Sequence, residues 1–198
     1  MRGNHAGAAR IAWPATLIAR RQHPLRADHL RFLPKTSQRS TMHCFLLDCS
    51  GSMLSGQRLA DAKGLLVALF DRASADRAEA ALICFGGTGS DLRFGPAVPR
   101  WWNERWLRPV GGGGGTPLAS GVRHASALLS QAARRRPAQQ RWLWILTDGR
   151  SRDMPIRPDH ADRIVFVDFE SGAVRLGRCE ALAAAWDAAW LKPQDLLV

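Results

Sequence analysis

Long hydrophobic runs are missing from this sequence. No stretch approaches the roughly 18 consecutive apolar residues that a membrane-spanning helix needs, because each apolar run soon meets Gly, Asp or Arg. The opening MRGNHAGAAR has no apolar h-region and does not read as a signal peptide. Cysteine is sparse: Cys44, Cys49, Cys84 and Cys179 fall at no CxxC or other ligand spacing. They read as reduced structural thiols, which points to a cytoplasmic location. RNP, zinc-finger and helix-turn-helix patterns are lacking, which argues against a nucleic-acid partner. The five-glycine run Gly111–Gly115 is not followed by G-K-[ST], so a Walker-type nucleotide site is excluded. No G-x-S-x-G elbow surrounds Ser50, where Asp48 and Ser52 take the glycine positions. His43 and His124 lie at a strand start and mid-helix, which argues against a Ser-His-Asp triad. A phosphoaspartate role for Asp48 would want an acid two residues later, and Ser50 stands there instead.

What is there suits one α/β domain with a tail: 198 residues, 46% of them apolar, are enough for a buried core. The net charge of +11 is uneven. Residues 1–41 hold eight Arg and Lys against Asp28 alone, a net of +7, with three prolines and no sustained period. They read as a basic extended arm. Such an arm either seeks an acidic partner or is simply solvated. From Met42 to Val198 the pattern is that of a domain. Apolar runs predict strands at His43–Asp48, Ala80–Phe85, Trp142–Leu146 and Arg163–Phe169, with short strands near Leu92–Phe94 and Trp190–Leu191. Leu59, Ala62, Leu66 and Leu69 share one helical face, as do Leu118, Val122, Ala125 and Leu129. Thr116-Pro117 opens the second of these helices, Thr as N-cap and Pro as first helical residue. Leu176, Cys179, Leu182 and Trp186 mark a last helix. A short helix over Pro99–Leu107 carries Trp101, Trp102 and Trp106, which makes it an interface candidate. Trp142 and Trp144 read as core, and Arg134–Arg136 as cations closing a helix C-terminus. Strands alternating with helices predict a doubly wound, mainly parallel sheet with helices on both faces.

In such sheets the working loops gather at the carboxyl ends of the strands. Asp48, Ser50 and Ser52 leave the first strand, Asp148 leaves the Trp142–Leu146 strand, and Thr116 follows the glycine run. Two carboxylates and three hydroxyls make a hard oxygen donor set suited to Mg²⁺, with Mn²⁺ or Ca²⁺ as alternatives, and unsuited to zinc. With so few protein charges, a bound ion stays net positive and can accept a carboxylate from a partner.

The D-x-S-x-S of Asp48–Ser52, Thr116 in its Gly-rich loop and the T-D-G of Thr147–Gly149 resemble the metal-ion-dependent adhesion site of von Willebrand factor A (VWA) domains. The resemblance implies direct coordination by Ser50 and Ser52, direct or water-mediated contact by Thr116, and largely water-mediated contact by the two Asp. FLLDCSGSM, ICFGGTGSDL, GGGGGTPLASGVRHA, ILTDGR and IVFVDFESG are further similar to the C-terminal domain of magnesium-chelatase D and cobalt-chelatase subunits, over residues 42–191. Neither the AAA+-like half nor the acidic, Pro-rich linker of those subunits is in this sequence. The implied role is a metal-dependent protein-interaction module, not catalytic alone, in a chelatase that inserts metal into a tetrapyrrole of a cobalamin or chlorophyll-type pathway. Its implied partners are an AAA+ ATPase subunit and the large chelatase subunit. The alternative is a VWA partner of a MoxR-like AAA+ ATPase in protein remodelling.

Overall fold

The computed structural model describes residues 26–27, 40–87, 89–101, 117–172 and 175–196. Chain contacts group into two units, Met1–Gln38 and Arg39–Val198, and every element below belongs to the second. Residues 1–25 and 28–39 of the basic arm, the glycine run, Thr116 and the Trp102 and Trp106 positions lie outside the described residues. Among the described part of the expected Trp helix, Pro99–Trp101 is not helical.

Six strands form one sheet: β1 (Thr41–Asp48), β2 (Glu79–Gly86), β3 (Gly89–Ala97), β4 (Gln140–Thr147), β5 (Arg163–Asp168) and β6 (Ala189–Leu191). Their order is β3-β2-β1-β4-β5-β6. All neighbours run parallel except β2 and β3, which form an antiparallel edge. The sheet is doubly wound. The chain leaves β1 in one direction and returns to β4 on its other side, so the switch point lies between these two strands.

Sheet residues alternate faces at period two, and each face is apolar because each is covered. Cys44, Leu46, Ile83, Phe85, Ile145 and Phe166 pack with α3 (Leu118–Arg135) and α4 (Arg178–Ala185). Phe45, Leu47, Leu82, Cys84, Leu146 and Val167 pack with α2 (Arg58–Ala75) on the other side. A single turn, α1 (Gly51–Leu54), follows β1. Close approach of α3 depends on Gly121, where a Cβ would meet Leu46 Cδ1 and Phe85 Cγ at 3.0 Å.

The helices differ from expectation at their ends. α3 starts at Leu118, with Pro117 just outside it in the capping position. α4 starts at Arg178, leaving Leu176 in the preceding loop and exposed. Gly177, at φ +62, sets that boundary through a left-handed conformation. Arg136 does more than close α3, since its guanidinium pairs with Glu79 at 2.8 Å. Trp144 is buried and donates to His43 Nδ1 at 3.1 Å, whereas Trp142 is only half-buried and stacks on it. The β4–β5 crossover carries no helix. All four cysteines are buried and none is in a disulfide. Burial pushes the Cys44 thiol up to about 12, in keeping with an inert core residue. No helix among the described residues is long and apolar enough to cross a membrane.

Candidate functional site at the switch point

β1 and β4 are adjacent and in register, so their carboxyl ends deliver Asp48 and Thr147–Asp148 side by side. Asp48 is fully buried. Its Oδ1 accepts the backbone N–H of Ser50 at 2.8 Å, which folds the chain into a tight turn directly after the strand. Its Oδ2 accepts the Thr147 hydroxyl at 2.5 Å. That hydroxyl in turn accepts the Gly149 N–H at 3.1 Å, so one side chain ties the two strand ends and the T-D-G turn together. The turn places Ser50 Oγ 3.1 Å from Ser52 Oγ.

Two glycines make room for these loops. A Cβ on Gly86 would lie 2.9 Å from the Cys49 carbonyl carbon and 3.2 Å from the Ser50 nitrogen. There Cys49 also donates its N–H to Phe85 O at 2.7 Å. Gly149, at φ +70, packs so closely on α4 that a Cβ would lie 2.9 Å from Cys179 Sγ.

Asp148 is buried like Asp48. One oxygen, Oδ1, accepts the Arg150 N–H at 3.2 Å. The other, Oδ2, has no hydrogen-bond donor among the described residues, and it lies 3.8 Å from both the Arg58 and the Arg150 guanidinium. The two guanidinium cations at 3.8 Å offset part of the cost of burying this oxygen, and a cation in direct contact would offset it further.

Thr116 lies outside the described residues, so its position relative to these groups is not part of the structure. The segment it precedes is fixed nonetheless. Asp153, five residues beyond Asp148, accepts the Ala119 N–H at 3.0 Å and fastens the start of α3 to the loop after β4.

A family profile described as von Willebrand factor type A domain matches residues 44–150. The chain belongs to this family. VWA domains are also its structural neighbours. The VWA domain of SpRpn10 superposes with a TM-score of 0.54 over 80% of this chain and 94% of that one, at 12% identity, a likeness of fold alone. Among curated proteins, the magnesium-chelatase 60 kDa subunit of Rhodobacter capsulatus is 40% identical over 106 residues, 54% of this chain and 18% of that protein. The subunit of the same name from Cereibacter sphaeroides is 33% identical over 150 residues, 73% of this chain and 26% of that protein. The chain thus spans about a quarter or less of the length of these two relatives.

In this VWA domain the described candidate donors are all oxygen. Among the described residues no three His, Cys, Asp or Glu side chains cluster as a metal site. Asp48, Asp148, Ser50 and Ser52 are instead two acids and two hydroxyls, a combination that fits a hard divalent cation with waters completing its shell. Burial pushes the Asp48 carboxyl up to about 6. The hydrogen bonds from Ser50 and Thr147 oppose that shift, and the neighbouring Asp148 charge adds to it. A nearby cation would favour the ionised form of both acids.

Arg58 and Asp153 are neighbours of the site that the sequence motif did not single out, and Thr147 entered the motif without being counted among the candidate ligands. Thr147 is inside the T-D-G, and its strand-end position next to Asp48 was a usable signal. Arg58 and Asp153 reach the site by tertiary packing and left no mark in local spacing.

Proposed function

We propose that this domain is a metal-dependent protein-interaction module serving as a non-catalytic, D-like subunit of a chelatase that inserts magnesium or cobalt into a tetrapyrrole. The observation that carries the proposal is the buried Asp148 Oδ2, without a hydrogen-bond donor, beside Asp48 and the paired Ser50 and Ser52 hydroxyls. Asp48, Ser50, Ser52 and Asp148, with Thr116, would hold Mg²⁺, or Mn²⁺ or Ca²⁺ in its place. When bound, the ion supplies an open coordination position for a carboxylate of another protein.

The chain's own part is positioning. Thr147 and the Ser50 N–H hold the Asp48 carboxylate in one orientation, and Gly86 lets the Cys49–Ser52 turn settle on the sheet edge. The chelatase assignment draws on similarity to the two magnesium-chelatase subunits, and the partners it proposes are an AAA+ ATPase subunit and a large chelatase subunit.

The test is capture of those subunits by the purified chain, in Mg²⁺ or in EDTA, with wild type and Asp48→Ala. Capture that needs both the metal and Asp48 is the expected result. Equal capture in EDTA would remove the metal from the interaction, and absence of capture by wild type in Mg²⁺ would overturn the chelatase role.

A further inference from the structure

The return from β4 to β5, residues 149–162, carries no helix of its own and is tied to both α3 and α4. Asp153 accepts the Ala119 N–H at the start of α3 at 3.0 Å. Arg178, the first residue of α4, donates to the Ser151 carbonyl. Arg157 donates from Nε to the carbonyl of Trp186, just past the end of α4, at 2.9 Å. Proline stiffens the stretch between these ties. Pro155 fixes its own φ and holds Met154 in extended backbone, and Pro158 does the same for Arg157.

From this fixed backbone Met154 stands 76% exposed and Ile156 88% exposed, more than any other large apolar side chain among the described residues. A lone exposed aliphatic is ordinary, but two within three residues on a tethered backbone mark a contact surface. The charge around them is positive: Arg150, Arg152 and Arg157 belong to the same stretch, Arg178 abuts it, and all four are exposed. Arg157 and Arg178 bond to carbonyls, which leaves their charges whole. Arg150 shares Asp148 with Arg58, two cations on one carboxylate. Of the nearby acids, Asp153 faces the start of α3. Asp159 and Asp162 stand at the other end of the return, where Asp162 pairs with Arg141. The neighbouring α3 contains no acid at all.

We infer that the β4–β5 return is a docking surface for an acidic segment of another protein that carries aliphatic side chains, and that it binds this segment without metal. Charge complementarity calls for the acid. The Met154 and Ile156 pair calls for apolar burial, which a nucleic-acid phosphate backbone does not offer. Pro155 and Pro158 lack N–H groups, so the stretch is a poor template for strand addition and recognition falls to side chains. Arginine suits that task, because one guanidinium can hold a carboxylate through two parallel bonds. A backbone already tied in place also loses little freedom on binding.

The test is fluorescence anisotropy in EDTA, with the full chain titrated into a labelled peptide of Glu-Glu-Leu-Leu repeats. EDTA removes any carboxylate contact made through a metal, so the result is independent of the metal-site reading. A Glu-Glu-Ser-Ser peptide and an oligothymidylate of equal length are the comparators. Wild type should bind the leucine peptide about tenfold or more tightly than either. Met154→Ser with Ile156→Ser should weaken that binding about tenfold, and Arg152→Glu about three- to tenfold. All three side chains are exposed, so the fold should survive each change. Arg134→Glu, close to the other end of α3, should leave binding within about twofold of wild type. Absence of binding, or binding untouched by the Met154, Ile156 and Arg152 changes, overturns the inference. So does equal affinity for the serine peptide or the oligothymidylate. An equal loss from Arg134→Glu would reduce the effect to net charge and overturn it as well.

Discussion

Thr147 shows how much of the site hangs on single hydrogen bonds. Its hydroxyl is both donor to Asp48 Oδ2 and acceptor for Gly149 N–H, inside a region with no water-exposed alternative. Thr147→Val keeps the shape and removes the donor, leaving a buried carboxylate oxygen short of a partner at a cost of about 1–3 kcal/mol. The cost is tied to charge, which fixes its pH dependence. The Asp48 carboxyl in the folded chain titrates at about 6, above its ordinary 3.8. An acid whose folded pKa is raised penalises folding when ionised; the penalty is full above about 6 and fades as pH falls toward 3.8. Loss of the Thr147 donor destabilises the ionised form further. Thermal melts in EDTA should therefore show a larger deficit for Thr147→Val at pH 7.5 than at pH 5. A deficit independent of pH would mean that the hydroxyl matters for packing and not for the Asp48 charge.

At the scale of elements, the fit of β2 against the turn after β1 makes the same point through backbone. A methyl on Gly86 would press on the Cys49 carbonyl group, which is backbone and cannot swing aside. Gly86→Ala should destabilise the domain by about 1–3 kcal/mol through overpacking and, by shifting Cys49–Ser50, weaken Mg²⁺ binding. Gly64 is the control. It lies exposed within α2 with nothing within 4 Å of an added methyl, so Gly64→Ala should stabilise by about 0.5–1 kcal/mol. Urea denaturation reads both, and a destabilising Gly64→Ala together with a neutral Gly86→Ala would reverse the argument. The contrast also marks what a sequence can disclose. Strands β1, β2, β4 and β5 were legible because parallel strands buried on both faces read as short apolar runs, and α2 and α3 because their stripes are amphipathic. The placement of Asp48, Ser50, Ser52 and Asp148 at one sheet edge was legible because strand-end loops collect at one edge of such a sheet. Gly86 looked like any strand-end glycine, since its role is set by a loop 36 residues away in sequence. The start of α4 was misjudged because Leu176 matched the apolar spacing while Gly177 broke the helix. The helix-free crossover after β4 left no apolar stripe to read.

For the whole molecule, the switch-point architecture concentrates candidate ligand groups from distant parts of the chain, so a metal bound there would couple its binding to folding. Asp48 and Asp148 are 100 residues apart and meet only because β1 and β4 pair. The unfolded chain cannot hold both acids in one geometry, and an ion that binds only the folded form stabilises it by mass action. At a free Mg²⁺ concentration 100 times the dissociation constant, that stabilisation is about 2.7 kcal/mol. For a unit of this size each kcal/mol moves the melting temperature by about 2–4 °C, so saturating Mg²⁺ should raise it by about 5–10 °C. Asp48→Ala should abolish the rise. It should also melt higher than wild type in EDTA, provided the cavity it leaves costs less than the buried charge it removes, since the ionised Asp48 is itself a burden above pH 6. Differential scanning fluorimetry with Mg²⁺, Ca²⁺ and EDTA decides this directly. A melting temperature indifferent to divalent ions in wild type would mean that the two acids are held for the fold by their protein hydrogen bonds and ion pairs, and that the edge between β1 and β4 binds its partner without metal.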